Sequence, residues 1–408
     1  MKEGNNYRKF LLLWAGELIS SVGGGLTSFG LGVCIFRQTG SAAGMAAVTL
    51  AGFLPTLLLS VPAGVLADRY DRRLLMMAGD GFSALGVIYI LICMIRGTAT
   101  LPRICAGVFV SAIFSSLLEP SFRATITDLL TKEEYSKANG LVSLAGSARY
   151  LLSPVIAGFL LTVSDIRLLL IIDICTFFPT VAGAAAVRRS IGTKMPDDKG
   201  SLTDSLKGGW IAISANKGVL ILVLVSSVIT LFMGMFQVLA EPVILAFSDS
   251  KTLGIAETVC ACGMLAGSII LGARGIKKHY VAVLGIDMML SGFFMTGFGM
   301  FENIVWICCF GFLFFTALPF ANNCLDYLAR TNVPDEAQGR VWGLIGFLSQ
   351  LGYVAAYSIS GVAADSVGSA FGIGVGRGSA AVIQTAGICL SLTALSLFMI
   401  KSIRELER

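Results

Sequence analysis

The sequence predicts an all-α membrane protein with twelve transmembrane helices in two pseudo-symmetric six-helix bundles. Three observations predict it. The first is composition: the 408 residues are 55% hydrophobic and only 13% charged, with a mean hydropathy of +0.82. A water-soluble domain carries about 25% charged residues, so this chain has too little polar surface to fold in water. Lipid, by contrast, solvates apolar outer faces. The second observation is that the apolar residues gather into twelve runs, each near the ~20 residues a helix needs to cross a bilayer. The third is the one long polar stretch, 188–217, which leaves six runs on either side. The expected organisation is therefore a bundle over 1–187, a cytoplasmic linker over 188–217 and a second bundle over 218–408.

Taken in order, span 1 covers 10–36 after the polar start "MKEGNNYRKF". It is too long for a signal h-region and has no small-residue cleavage site, so it is expected to be retained. Span 2 (42–63) runs into "GVLADRYDRR" (64–73), which packs five charges into its last six positions, and span 3 follows at 74–95. Spans 4 (101–128) and 5 (137–163) form a hairpin, and span 6 covers 165–187. Spans 7 (218–247) and 8 (253–273) follow the linker. "GARGIKKHY" leads into span 9 (280–300), followed by spans 10 (303–329), 11 (337–364) and 12 (379–400). The runs are too long for barrel strands and lack two-residue alternation.

Charge orients these spans. Twenty-two Lys and Arg fall on one side and six on the other, with Arg123 and Arg149 inside spans 4 and 5. The positive-inside rule makes the richer side cytoplasmic and puts both termini there. The net charge of +5 is thus topology, and no soluble basic face exists for nucleic acid. The ten cysteines sit in or beside apolar runs, without disulfide or zinc spacing. No nucleophile–base set, metal cluster or cofactor motif points to an enzyme. The absence of a GxxxxGK[ST] loop removes ATP as a direct driver. His279, the only histidine, lies between spans, so any proton coupling falls to buried carboxylates.

The halves echo each other. "EPSFRATITDLLTKEEYSKANG" carries Pro120 and Gly140, and "LPFANNCLDYLARTNVPDEAQG" carries Pro319 and Gly339, the same twenty residues apart. The two segments join spans 4–5 and 10–11. A repeat at one topological place in both halves predicts two parallel six-helix units with a site near the bilayer midplane.

"GVLADRYDRR" resembles the span 2–3 loop signature of the major facilitator superfamily: a Gly, an Asp and a basic cluster at set spacing. Further stretches resemble the macrolide-efflux type of drug–proton antiporter within that superfamily. They are "WAGELIS" in span 1, "GFLP" in span 2, "YLLSPVIAG" in span 5, "ANKG" before span 7 and "LPFANN…QGRVWG" across spans 10–11. The resemblance implies a cytoplasmic gate at the turn. Gly64 would allow close helix approach, Asp68 would face a helix N-terminus, and Arg72 and Arg73 would pair with carboxylates such as Asp128. Asp326, Arg330 and Arg340 are the corresponding gate candidates in the second half. "SPVIAG" resembles the span-5 antiporter motif, with Ser153 where Gly is commoner and with Pro154 and Gly158 for bending and packing. One departure is Ser111, which stands about where drug antiporters carry an Arg in span 4.

Ionisable groups within a bilayer cost roughly 2.5–3.5 kcal/mol on insertion scales and so mark pathways or paired sites. The candidates are Glu17, Asp80, Glu119, Arg123, Arg149, Asp173, Glu241, Glu257, Asp287 and Asp326. Glu17 shares a polar stripe with Ser20, Ser21 and Gly24. Glu119 and Arg149 fall near one level of the span 4–5 hairpin and are expected to pair, with Arg123 as the rival partner. Gln237 and Glu241 end a polar stripe on span 7. Gln350, Tyr353 and Tyr357 line one face of span 11, which suits an amphiphilic ligand as well as plain packing. Asp80 and Asp173, on usually peripheral spans, are expected at helix ends or in structural roles.

The expected function is proton-coupled efflux of amphiphilic drug-like compounds by alternating access, from a monomer in the bacterial cytoplasmic membrane. Its partners are a small-molecule substrate, protons and the bilayer, with no nucleic acid and no cofactor. Export of an endogenous siderophore or peptide, with Arg149 on an anionic group, is the alternative. A non-transporting receptor or scaffold is the alternative of another class.

Overall fold

The computed structural model describes residues 3–191, 214, 217–333, 338–400, 403 and 405–407. Most of the expected linker, and the side chain of Arg340, lie outside the described residues. The described residues form helices throughout, joined by short turns, and twelve stretches are long and apolar enough to cross a membrane. In chain order the first eight helices are α1 (Glu3–Thr39), α2 (Ala42–Arg69), α3 (Arg72–Ile95), α4 (Leu101–Ser115), α5 (Leu118–Leu129), α6 (Lys132–Leu151), α7 (Ser153–Val163) and α8 (Ile166–Ile191). After the linker come α9 (Lys217–Leu245), α10 (Ser250–Arg274), α11 (Tyr280–Phe298), α12 (Ile304–Asn332), α13 (Gln338–Ala370) and α14 (Gly374–Met399).

Several helices outrun their apolar windows. α2 continues through the charged turn to Arg69, and α13 continues to Ala370 rather than 364. A hydropathy window closes at the first charges, whereas the backbone ladder continues wherever the residues favour helix. Spans 4 and 5 are each broken in two. Pro120 has no N–H to bond the carbonyl of Ser116, and Pro154 has none for Tyr150, so the ladder lapses at each point. Polar caps set the starts: the Asp71 side chain accepts from the Arg73 N–H, Asp249 from Thr252, and Asn303 from Val305 and Trp306.

The chain forms two compact units, Met1–Gln38 with Ala47–Lys199, and Thr39–Ala46 with Gly200–Arg408. In the first, α3 packs against α4, α5 and α8. α1 meets α8 through Gly16, Gly23 and Gly30, spaced by seven residues and so on nearly one face. A Cβ at these positions would lie 3.0 Å from Thr180 Cα, 2.3 Å from Thr176 Oγ1 and 2.4 Å from Ile166 Cδ1. Phe10, Leu13, Met76, Phe122 and Ile126 make the apolar core at one end.

In the second unit α9 packs against α13 and α14, α10 against α12, and α11 against α12 and α14. Its core includes Leu222, Leu284, Met288, Leu328 and Leu397. Phe236 meets the rings of Phe298 and Phe314 at 4.7 and 4.4 Å. This unit also takes in the first turn of α2. Asp365 on α13 caps that turn, accepting from the Ser41 hydroxyl at 2.5 Å and from the N–H groups of Ala42 and Ala43 at 2.9 and 3.1 Å. Gly361, one turn earlier, brings α13 against the Ala42–Ala43 backbone. Asp365→Ala removes three acceptor contacts and is expected to cost about 1–2 kcal/mol, read as a lower melting temperature in detergent. Asp365→Asn, which keeps one acceptor oxygen, should recover part of that loss.

Candidate functional site

The charged turn after α2 is a closed network in the first unit. Arg72 Nη1 lies 2.7 Å from Asp128 Oδ1, and Arg73 Nη2 lies 3.2 Å from Asp128 Oδ2. Arg72 also donates to the carbonyls of Ala67 and Ala124, and Arg188 on α8 pairs with Asp71 at 2.6 Å. The Arg73 side chain is 4% exposed, so its charge depends on Asp128 rather than on water. Asp68 stays open, 3.9 Å from Arg72. A Cβ placed on Gly64 meets nothing within 4 Å among the described residues.

Farther along the same unit, Glu119 pairs with Arg123 at 2.8 Å, both side chains well exposed. The expected Glu119–Arg149 pair is replaced by this one, because residues one turn apart on a single helix meet without bridging two helices. Arg149 instead reaches the Ser28 hydroxyl on α1 at 3.1 Å. Glu17 is half-buried, with Glu119 and Arg149 as its charged neighbours. Its Oε2 is buried and has no hydrogen-bond partner. Ser153 donates to the Val22 carbonyl at 3.0 Å and sits over Gly25, where a Cβ would come within 2.3 Å of its hydroxyl. Pro154 and Gly158 are buried beside it. Ser111 lies where α4 closes on Gly86 of α3, within 2.7 Å of a Cβ placed there.

Asp80 and Asp173 lie within α3 and α8 rather than at their ends, each 2% exposed inside the first unit, a burial compatible with the structural role that is the other expectation. Sequence position gave no sign of the depth of that burial, since it depends on how α1, α3 and α8 meet.

In the second unit a polar and aromatic seam joins α9 and α13. The Tyr357 hydroxyl donates to Gln237 Oε1 at 2.8 Å. Gly234 makes room for Tyr353, whose Cδ1 lies 2.9 Å from a Cβ placed there. The Tyr353 and Tyr357 rings are 5.7 Å apart. Thr230 donates to the Ser349 carbonyl at 2.5 Å. Gln350 Oε1 and Glu241 Oε2 are buried and unpartnered, and Glu257 on α10 is an electrostatic neighbour of Glu241. Asp326 and Arg330 lie one turn apart on an exposed stretch of α12. Among the described residues, no three His, Cys, Asp or Glu side chains converge as a metal site.

Two features therefore stand out. One unit holds acids graded from open to buried, and the other holds a tyrosine–amide seam between α9 and α13. A family model described as Major Facilitator Superfamily matches residues 13–357. Macrolide efflux protein A of Streptococcus pyogenes is 24% identical over 379 residues, covering 90% of this chain and 92% of that protein. The multidrug efflux pump Tap of Mycolicibacterium fortuitum is 24% identical over 385 residues, covering 88% and 90%. Among solved structures, a bacterial homologue of the iron transporter ferroportin in an inward-facing state matches with a TM-score of 0.74 at 14% identity, covering 96% and 99%.

Proposed function

The chain belongs to the major facilitator superfamily and is a multi-pass membrane transporter of small molecules; on that premise we propose that it exports amphiphilic, drug-like compounds in exchange for protons, by alternating access. The observation that carries this reading is the α9–α13 seam of Gln237, Tyr353 and Tyr357, and we assign the buried, unpartnered Glu241 and Gln350 to the same substrate path. Tyr357 is 5% exposed here; in the proposed cycle the seam opens and its rings and polar atoms meet apolar or cationic groups. The efflux relatives of similar length add support.

Glu17, Glu119 and Glu241 are the carboxylates we assign to protons or to a cationic substrate. Arg149 has the acids Glu17 and Asp173 as electrostatic neighbours, which favours a cationic or neutral cargo over an anion. We assign the inner gate to the Arg72–Arg73–Asp128 network with Asp68 and Gly64, and to Asp326, Arg330 and Arg340 of the second unit. The Lys and Arg bias supports a cytoplasmic position for both termini. Ser153, Pro154 and Gly158 would hold the bend at the α1–α7 contact.

Efflux is tested in cells lacking their own pumps and expressing the chain, challenged with macrolides, quaternary cations and siderophores. Reduced accumulation of macrolides or cations supports the reading. Movement of siderophores alone would transfer it to endogenous export, and no effect on any compound would remove it. Tyr357→Phe deletes the hydroxyl bond to Gln237 while keeping the ring. It is expected to weaken substrate binding by about 1 kcal/mol, roughly fivefold, as a raised half-saturation concentration at unchanged expression.

A further inference from the structure

We propose that Asp80 and Asp173, reached through Glu17 from the open Glu119, form the proton-binding site of this transporter. The inference rests on the proton-coupled reading above and names residues that the reading does not use.

The acids form a graded series within the first unit. The Glu119 side chain is 72% exposed, Glu17 is half-buried, and Asp80 and Asp173 are each 2% exposed. Neighbours in the series interact electrostatically: Glu17 with Glu119, Asp80 with Glu17, and Asp80 with Asp173. Among the described residues, the cation beside the inner acids is Arg149, a neighbour of Glu17 and of Asp173. Arg123 is occupied by Glu119. One arginine cannot balance the three carboxylates that remain, Glu17, Asp80 and Asp173, and an uncompensated carboxylate in a low-dielectric interior is neutralised by taking up a proton.

Two of the three hydroxyls beside these acids have their hydrogens committed elsewhere. Asp80 Oδ2 and Asp173 Oδ1 are buried without a partner. Thr180, the hydroxyl beside Asp80, already donates its hydrogen to the Gly16 carbonyl at 3.1 Å. Thr176, beside Asp173, donates its hydrogen to the Asp173 main-chain carbonyl at 2.6 Å. A hydroxyl has one hydrogen and two lone pairs, so each threonine offers these carboxyls a lone pair. Only a carboxyl carrying a proton has a hydrogen to place there. Thr27, the third hydroxyl, lies beside Asp173 and its Oγ1 has no other hydrogen-bond partner, so its hydrogen remains free to meet one carboxyl oxygen. Gly23 admits the arrangement: a Cβ there would lie 2.9 Å from Asp173 Oδ1 and 2.3 Å from Thr176 Oγ1. Among the described residues these acids do not gather three on one point as a metal site would. Protonation from the Glu119 side and release by the same path would couple the occupancy of α1, α3 and α8 to the transport cycle.

The test uses the full chain in liposomes, with tetraphenylphosphonium as probe and the potential clamped by potassium and valinomycin. Wild type, Asp80→Asn and Asp173→Asn are compared for gradient-driven uptake, for counterflow without a gradient, and for the infrared carbonyl stretch of protonated carboxyls across a pH titration. Wild type should show that stretch and accumulate probe by about tenfold per pH unit for each proton exchanged. Each Asn variant should lose part of the infrared band and most gradient-driven uptake while keeping counterflow. If wild-type uptake ignores the gradient, the proton-coupled reading fails. If wild type is gradient-driven and both variants remain so, this inference fails and that reading stands. Should the Asn variants not fold, Asp80→Glu and Asp173→Glu keep the acid and are expected to shift the band. A wild type without a titrating buried carboxyl, or Glu variants with an unmoved band, overturns the proposal.

Discussion

Asp128→Ala is expected to destabilise the first unit by about 3 kcal/mol and to abolish export. Its carboxyl is the partner of both Arg72 and Arg73, and the Arg73 side chain is nearly enclosed. Removing one member of such a pair leaves a buried charge with no counter-charge, and that penalty exceeds the net worth of the pair itself. The check is thermal unfolding in detergent together with drug accumulation in cells. The double variant Arg73→Met, Asp128→Leu removes both charges and should recover most of the stability. On the gate assignment it should not recover transport. A double variant that exports normally would reduce the network to a structural brace.

Gly352→Val is expected to prevent the second unit from assembling, at a cost of at least about 3 kcal/mol. α13 crosses α9 so closely at this point that even a Cβ would lie 2.1 Å from the Ser227 carbonyl oxygen and 2.7 Å from the Leu231 nitrogen. Those are backbone atoms of a helix, and they cannot turn aside as a side chain would. The helices would have to separate, breaking the Thr230–Ser349 and Tyr357–Gln237 bonds. Gly346→Val on the same helix is the control, because a Cβ there meets nothing within 4 Å; its yield and melting temperature should match wild type. Equal behaviour of the two variants would show that the α9–α13 contact is not as close as described.

The architecture was legible because lipid imposes a simple rule: about twenty apolar residues per crossing, repeated twelve times. Span ends were less legible, as α2 shows, because charge stops a hydropathy window without stopping a helix. Single-helix relations could also be read, such as the one-turn step from Glu119 to Arg123. Relations between helices could not. Nothing in a linear stripe makes Asp80 and Asp173 electrostatic neighbours, or puts Asp365 on the first turn of α2. Nor does it show that a Cβ on Gly64 meets nothing within 4 Å among the described residues. The threonine hydroxyls became informative only once their acceptors, the Gly16 and Asp173 carbonyls, were known.

The most direct test of the account is transport by the wild-type chain in inside-out membrane vesicles with the interior made acidic. The probe is a quaternary cation, which has no proton to lose and so is not trapped by acid alone. Vesicles without the protein supply the background. The account predicts accumulation above that background, growing with the pH difference and collapsing when a protonophore dissipates it. Accumulation that persists undiminished after the gradient is collapsed, or none above background for any amphiphilic compound, would contradict it.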